Sequence, residues 1–188
     1  TTDQIAAIAT DDIASLGTSA LRAITTDGIQ ALTSEQVALL STAQVAALST
    51  LQMAAIETDD VLALTTTQLR ALGSAQLRAL STEQLAALDT TQVAALLTAQ
   101  VAALATGQIS GITTEGIAAL GTDQVRVLAS AQLAALTTEQ VAAFETTDLR
   151  ALTTLAVTGL TTLGMQALSS EQIGALTTSQ IAALTTTQ

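Results

Sequence analysis

An eight-residue repeat runs through the whole chain without insertion or deletion, and no other feature constrains the fold as strongly. Every residue whose number is a multiple of eight is Ile, Leu or Phe, in 23 of 23 octads. Position five of the octad is always apolar, and position two is Ser or Thr in 24 of 24 cases. Position seven is Ala in 18 of 23 octads, and position four is Gln in 16 of 24. Such self-similarity predicts a repeat architecture instead of one globular core.

The composition of the octad favours helix. Ala, Leu and Gln are good helix formers, and positions five and eight are helical neighbours. In one continuous helix this apolar pair would rotate by about 80° per octad and wind around the whole surface. The chain must therefore change direction once in each octad. We predict an all-α solenoid of very short helices, about six residues each, with about 23 repeats. Eight-residue strands are the weaker alternative, and the number of octads per superhelical turn stays open.

The variable positions of the octad indicate which side faces solvent. All five arginines stand at position six, and ten of the sixteen acidic residues stand at position three. Charge at these positions places one, three and six outside, and five, seven and eight inside. Leu39 and Val127 replace the usual Ala at position seven, where we expect a local bulge or a filled gap. The predicted core residues include Val45, Leu48, Leu85, Leu88, Val141, Phe144, Ile181 and Leu184.

The hydroxyl at position two is suited to cap the start of a helix. Position one is an alternative cap, which could form a capping box with the Gln at position four. Ala9, Leu97 and Ala129 cannot cap in this way, whereas position two never lacks a hydroxyl. We therefore predict position two as the N-cap, and six examples are Thr42, Thr50, Thr82, Thr90, Thr138 and Thr178.

The composition argues against most catalytic chemistry. The chain has no Cys, His or Lys, so it offers no thiolate, imidazole or amine for catalysis and no ordinary zinc site. We expect no enzyme activity, no cofactor and no metal. The net charge of −11 argues against nucleic-acid binding. No apolar run approaches the ~18 residues of a membrane-spanning helix, so we expect no membrane insertion.

Two pairs of adjacent carboxylates, Asp11–Asp12 and Asp59–Asp60, could suggest calcium ligands. Calcium needs six to eight converging oxygens, and no calcium-loop spacing accompanies these pairs. We interpret them as solvated acids in the first turns of helices, where the dipole favours negative charge. Asp123 and Arg126 have the spacing of an exposed ion pair.

Two octads carry a resemblance to known proteins: Thr42-Ala43-Gln44-Val45-Ala46-Ala47-Leu48 and Thr178-Ser179-Gln180-Ile181-Ala182-Ala183-Leu184. They resemble the Leu-Thr-Thr-x-Gln-Val/Ile-x-Ala-Leu repeats of large exported bacterial proteins, described as haem-utilisation/adhesion or calcium-binding-toxin-like exoproteins. The resemblance implies secretion and an extracellular or cell-surface role. It carries no catalytic residue to this chain, and the Gly-Asp-rich calcium nonapeptides of such proteins are absent.

Together these observations predict a non-catalytic structural module that acts as a spacer, stalk or scaffold. We expect residues 1–188 to form a single solenoid, to be a segment of a longer protein, and to have the neighbouring repeats of that protein as partners. A protein- or ligand-binding solenoid is the alternative, with its surface at Gln108–Gly121 or Thr154–Gln166, where glycines such as Gly116 and Gly164 open the surface. A third possibility is an ice- or surface-binding Thr array, which requires hydroxyls that are not occupied in capping.

Overall fold

The structure, a computed structural model, describes the backbone of residues 1–188 and every side chain except that of Asp11. This described part of the chain contains twenty-three short α-helices, one per octad, and no strand. The predicted all-α solenoid of very short helices is therefore confirmed. Our interpretation of the Asp11 side chain lies outside the described residues. The chain divides into two compact units, Thr1–Leu96 and Leu97–Gln188, and each is described by itself.

Unit 1 contains the first twelve helices. They are α1 (Thr2–Ala6), α2 (Thr10–Ile13), α3 (Thr18–Arg22), α4 (Thr26–Gln30), α5 (Ser34–Leu39), α6 (Thr42–Ala47), α7 (Thr50–Ala55), α8 (Thr58–Leu62), α9 (Thr66–Ala71), α10 (Ser74–Ala79), α11 (Thr82–Ala86) and α12 (Thr90–Ala95).

Unit 2 contains the remaining eleven. They are α13 (Thr98–Ala103), α14 (Thr106–Gly111), α15 (Thr114–Ala118), α16 (Thr122–Arg126), α17 (Ser130–Ala135), α18 (Thr138–Ala142), α19 (Thr146–Ala151), α20 (Thr154–Val157), α21 (Thr162–Ala167), α22 (Ser170–Ala175) and α23 (Thr178–Ala183).

Two extended residues make the corner between consecutive helices. Leu48, at position eight, has φ −59° and ψ 139°, and Ser49, at position one of the next octad, has φ −72° and ψ 162°. Both conformations are ordinary for L-residues. The described backbone contains no residue with positive φ and no cis peptide bond. The corner therefore needs neither glycine nor proline, and the glycines that do stand at position one, Gly17, Gly73 and Gly121, have the same negative φ as the other residues there.

Within each unit, helices three octads apart pack against each other. In unit 1, α6 contacts both α3 and α9, and in unit 2, α17 contacts both α14 and α20. Three octads therefore make one superhelical turn, which we call a coil. The sequence left this number open, and the packing of helices between coils decides it.

The core follows positions five and eight. Val45, Leu85 and Val93 are fully buried, and Leu48 and Phe144 are almost so. Position four is also buried although it is polar, as Gln44 shows. Position seven, which we expected inside, is only half-buried at most alanines. Leu39 and Val127, at that position, are exposed at 46% and 37%, so neither joins the core.

The predictions for Ile181 and Leu184 are wrong. Ile181 is 46% exposed and Leu184 is only half-buried. In interior octads the position-five side chain is covered by the following coil, as Val157 is beneath α23. No further helix of the described chain packs over α22 and α23, so Ile173 and Ile181 lose this cover.

Candidate functional site

The most distinctive contact of the fold is a buried glutamine that joins one coil to the next. The side chain of Gln44, at the start of α6, is 2% exposed. Its Oε1 accepts a hydrogen bond from the backbone N–H of Ser41 at 2.7 Å. Its Nε2 donates to the carbonyl oxygens of Ile13 at 2.8 Å and Leu16 at 2.9 Å, one coil earlier. One amide therefore satisfies a helix N-terminus and a helix C-terminus at the same time.

The same contact recurs in both units and forms a ladder along each. In the clearest cases Nε2 reaches the carbonyls 31 and 28 residues earlier, at positions five and eight. Examples are Gln52 to Leu21 and Ile24, Gln76 to Val45 and Leu48, Gln132 to Val101 and Leu104, and Gln180 to Leu149 and Leu152. Each hydrogen bond of this kind contributes about 1 kcal/mol net, and losing one partner costs more. The glutamines therefore supply the coil-to-coil stabilisation that a single octad lacks.

Our prediction that position two caps the helices is wrong. The six threonines predicted as caps stand at the first helical position instead, and the caps are the residues before them: Ser41, Ser49, Ser81, Asp89, Thr137 and Thr177. In α6, the Gln44 N–H donates to Ser41 Oγ at 3.2 Å and completes a capping box.

Some octads have a residue at position one whose side chain cannot cap a helix, which is why we predicted position two. The glutamine at position four nevertheless bonds to position one in these octads. The Ala129 N–H still donates to Gln132 Oε1 at 2.9 Å, and the Leu97 N–H donates to Gln100 Oε1 at 2.8 Å. The glutamine half of the capping box needs only a backbone N–H at position one, so it tolerates any residue there. The Gln at position four, three residues after position one, was the available signal.

Three aspartates stand at the glutamine position. Asp12 is exposed, and the other two make a different contact. Asp60 and Asp148 are both buried, at 4% exposure. Because an Asp side chain is shorter, each accepts a hydrogen bond from a position-two hydroxyl 26 residues earlier. Ser34 Oγ donates to Asp60 Oδ1 at 2.6 Å, and Thr122 Oγ1 donates to Asp148 Oδ1 at 3.0 Å. Our interpretation of Asp60 as a solvated first-turn acid is therefore wrong, whereas its neighbour Asp59 is exposed.

Burial raises the pKa of both carboxyl groups above the ordinary aspartate value. The Ser34 hydroxyl partly offsets this rise at Asp60, while the nearby charges of Glu57 and Asp59 add to it. At Asp148 the Thr122 hydroxyl offsets the rise and Glu145 adds to it. Ionisation of Asp60 or Asp148 in the folded protein is therefore unfavourable, because solvent is excluded and an acidic residue lies close by.

Octads that are three apart stack on each other and form rows. In unit 1 most of the acidic residues lie in one of these rows. Helices α2, α5, α8 and α11 stack in succession, and we call their octads the acidic row. This row carries seven of the ten acids of unit 1 and none of its three arginines, which are Arg22, Arg70 and Arg78. The acids are Asp11, Asp12, Glu35, Glu57, Asp59, Asp60 and Glu83.

Unit 2 has a row of stacked octads that carries no charge. Helices α14, α17, α20 and α23 stack in succession, and we call their octads, residues 105–112, 129–136, 153–160 and 177–184, the neutral row. These octads contain no charged residue. All six acids of unit 2 lie on its two other rows, together with Arg126 and Arg150. Asp123 and Arg126 form the predicted exposed ion pair, with 3.1 Å between Oδ1 and NH1.

The neutral row also contains a close approach between two coils. A Cβ added to Gly159 would lie 2.0 Å from the backbone oxygen of Ser130, one coil earlier. In this octad position seven therefore packs against the backbone at position two of the preceding coil and leaves no room for a Cβ. Gly116 and Gly164, which we expected to open the surface, are buried at position four.

The structure shows no assembled metal site or membrane span in its described part. The described side chains include no group of three or more His, Cys, Asp or Glu that could hold a metal ion. None of the helices that the structure describes is long and apolar enough to cross a bilayer.

Comparison with known proteins identifies the repeat. No curated protein matches the chain significantly. The family model described as the ALTTAQ repeat matches residues 5–42, 53–90, 74–106, 93–129, 109–144, 141–178 and 165–188. These overlapping matches follow the octads through both units. The motif joins the corner residues at positions seven and eight to the helix start and the glutamine of the next octad. The chain therefore belongs to the ALTTAQ repeat family.

Proposed function

We propose that this chain is a non-catalytic structural module, a spacer or stalk, within a large secreted or cell-surface bacterial protein. The observation that carries the proposal is the glutamine ladder. Within each unit, buried amides such as Gln44 and Gln132 bond coils to the ones before them. The coil of α19, α20 and α21 has Asp148, Ala156 and Gly164 at position four and no such amide. A solenoid stabilised by nearest-neighbour contacts can vary in length without a change in local structure. Such a module sets the distance between the parts of a protein that bind or act.

The export part of this proposal rests on the resemblance of the octads to repeats of large bacterial exoproteins. The absence of Cys and the acidic composition are compatible with it. Antibodies raised against this chain provide the test, applied to intact cells, culture medium and lysed cells of the source organism. We expect labelling of intact cells or of the medium. A signal that appears only after lysis would refute export while leaving the spacer role open.

The spacer role has its own test in the parent protein. One version deletes residues 33–56, a whole coil of unit 1, so that the repeat stays in register. A matched version exchanges the exposed residues at positions three and six of the same coil and keeps its length. A spacer responds to the change of length and tolerates the exchange. Loss of function in the exchanged version alone would favour a binding surface instead.

A surface-binding Thr array is a second candidate, and one observation favours it. Capping belongs to position one, so the invariant hydroxyls at position two do not serve as caps. Thr42 and Thr178, for example, are exposed at the first position of their helices. Thermal hysteresis at millimolar protein tests this candidate for ice. We expect hysteresis if the rows order water as a lattice, and its absence removes the ice-binding role.

A further inference from the structure

We propose that unit 2 contains a proton-controlled joint between residues 144 and 145, at which the segment 145–188 opens as one body while residues 97–144 stay folded. We call this place the Glu145 boundary, after the first residue beyond it. The inference goes beyond the spacer role and does not depend on it, because it concerns only contacts within unit 2. It rests on the side chains that connect helices on the two sides of the boundary.

The Glu145 boundary lacks most of the amide bonds that connect coils elsewhere. Four position-four residues stand where a glutamine would bond back across it: Asp148, Ala156, Gly164 and Gln172. Of these, Gln172 makes the usual contact, and its Nε2 donates to the carbonyl oxygens of Ala142 at 2.9 Å and Phe144 at 2.8 Å. Ala156 and Gly164 have no side-chain donor, so the position-eight carbonyls 28 residues before them receive no amide. The helices on the two sides still pack together, but mainly through apolar contacts.

Unit 1 contains a matched boundary with the full set of glutamines, between residues 56 and 57. Glu57 and Glu145 are the two glutamates at position one of the octad, and each is followed by aspartate at position four. After Glu57 the next three position-four residues are all glutamine, and they bond back to carbonyls before the boundary: Gln68 to Leu40, Gln76 to Leu48 and Gln84 to Ile56. The two boundaries therefore begin alike and differ by two amides, so the Glu145 boundary has the weaker connection.

The other side-chain hydrogen bond across the Glu145 boundary ends on a carboxyl group. Thr122 Oγ1, on α16, donates to Asp148 Oδ1, on α19, at 3.0 Å, and Asp148 is 4% exposed. Helix α19 packs against α16 and α22. The other charged residues of these three octads are Glu145 and Arg150 beside Asp148, Asp123 and Arg126 on α16, and Glu171 on α22. Arg126 pairs with Asp123, and in the described part of the chain no arginine forms an ion pair with Asp148.

The protonation of Asp148 sets how firmly the boundary is closed. Burial raises the pKa of Asp148, and the nearby charge of Glu145 adds to the rise. When the segment opens, this carboxyl group enters solvent and its pKa returns to about 3.9. The closed boundary therefore binds the proton more tightly than the open one. Its stability is full below the open-state pKa and falls as the pH rises through the closed-state value.

Amide hydrogen exchange of the full chain at pH 7, followed by mass spectrometry and corrected for intrinsic rates, tests the joint. We expect the slowest amides of α19–α23 to share one opening constant, about tenfold or more above that of α16–α18. We expect no step of this size between α7 and α8, at the matched boundary of unit 1. Protection that declines gradually from α16 to α23, as in simple fraying from an end, overturns the proposal.

A double variant, Ala156→Gln with Gly164→Gln, gives the Glu145 boundary the glutamines of unit 1. We expect it to lower the opening constant of α19–α23 about tenfold or more. Ala182→Gln, which adds an amide at an exposed site of α23, is the control and should change it less than twofold. Equal effects of the double variant and the control overturn the proposal.

The reciprocal double variant, Gln68→Ala with Gln76→Gly, keeps the test decisive if far-UV circular dichroism shows that the first variant loses its helices. It gives the Glu57 boundary the composition of the Glu145 boundary, and we expect a new step in protection between α7 and α8. Protection that stays unchanged there overturns the proposal.

Asp148→Asn tests the proton control, because it keeps an acceptor for Thr122 and removes the titration. We expect the ratio of the wild-type to the variant opening constant of α19–α23 to be about threefold or more larger at pH 7 than at pH 4. The comparison at each pH cancels the effects of the other acids. A ratio that stays constant or falls as the pH rises overturns the proton control.

Discussion

The acidic row of unit 1 and the neutral row of unit 2 share one backbone plan and differ in what they carry. Both consist of four stacked octads with apolar residues at positions five and eight. The acidic row holds seven acids and has Asp12 and Asp60 among its position-four residues, whereas the neutral row has no charge and replaces the glutamine only once, by Ala156. The comparison shows that the repeat separates its internal contacts from its surface. Positions four, five, seven and eight build the coil, and positions three and six are free to vary.

The largest effect is expected from Gly159→Ala in the neutral row. The new Cβ would lie 2.0 Å from the Ser130 carbonyl oxygen, so two coils must separate or the chain must shift. We expect a loss of about 3 kcal/mol in the free energy of unfolding, measured by urea denaturation. Gly107→Ala on α14 is the control, because its added Cβ meets nothing within 4 Å. It should stabilise by about 0.5–1 kcal/mol, and a similar loss in both variants would contradict the close approach.

Gln132→Ala tests the hydrogen bonds by which a position-four glutamine connects one coil to the coil before it. This change leaves the carbonyls of Val101 and Leu104 and the N–H of Ala129 without their amide partner. We expect a loss of about 2–3 kcal/mol, because these groups are buried or half-buried and lose strong hydrogen bonds. Amide hydrogen exchange should show increased exchange at the start of α17 and the end of α13. A loss no larger than about 0.5 kcal/mol, the low end for a single hydrogen bond, would show that the ladder contributes little to stability.

Replacement of Asp60 in the acidic row by glutamine, the usual residue at position four, is expected to stabilise the protein. Asp60→Gln removes a buried carboxylate and provides an amide that can reach the carbonyls of Ile29 and Leu32, at the positions that other glutamines bond. We expect a gain of about 1–2 kcal/mol at pH 7, measured by urea denaturation. Asp59→Asn, at the exposed neighbouring position, is the control and should change stability by at most about 0.5 kcal/mol. Destabilisation by Asp60→Gln would mean that the Ser34–Asp60 contact is worth more than the amide joint.

The raised pKa of Asp60 predicts a specific pH dependence. A raised pKa means that the folded state binds the proton more tightly than the unfolded state. The Asp60 contribution to stability is therefore full below the unfolded aspartate value of about 3.9 and is lost as the pH rises through the folded value. Asp60→Asn should exceed the wild type in stability at pH 7, and this advantage should shrink towards pH 4. An advantage that grows as the pH falls would contradict the assigned direction.

The smallest effect is expected from surface charge. Ala38→Arg places a cation at position six of α5 in the acidic row, where arginine is accepted elsewhere in the repeat. We expect a gain of about 0.5 kcal/mol at low salt that disappears near 1 M salt. Ala134→Arg in the neutral row has no acidic neighbours on its row and should leave stability nearly unchanged, within about 0.3 kcal/mol. Equal effects at both sites would show that the acidic row is not electrostatically distinct.

The amino-acid pattern alone predicted the helices, their approximate length and the burial of positions five and eight, but not that of position four. The reason is local: an octad that places Val45 and Leu48 three residues apart cannot keep both buried in a longer helix. It also identified Gln at position four as a regular feature, but not the acceptors of its amide. Those acceptors lie 28 and 31 residues away, beyond any local rule. The choice between positions one and two as the cap failed because the residues alone did not show which one adopts the extended conformation.

Sequence by itself determined that this chain must turn once per octad, because period eight and the helical period of 3.6 do not match. Only the tertiary structure decided that three octads make a coil, because that number depends on how α6 packs against α3 and α9. The coil in turn decides which octads become neighbours, so the segregation of acids and arginines into rows is a property of packing. The same reason places Asp60 inside and Ile181 outside: burial is set by the neighbouring coil, and no octad contains that information.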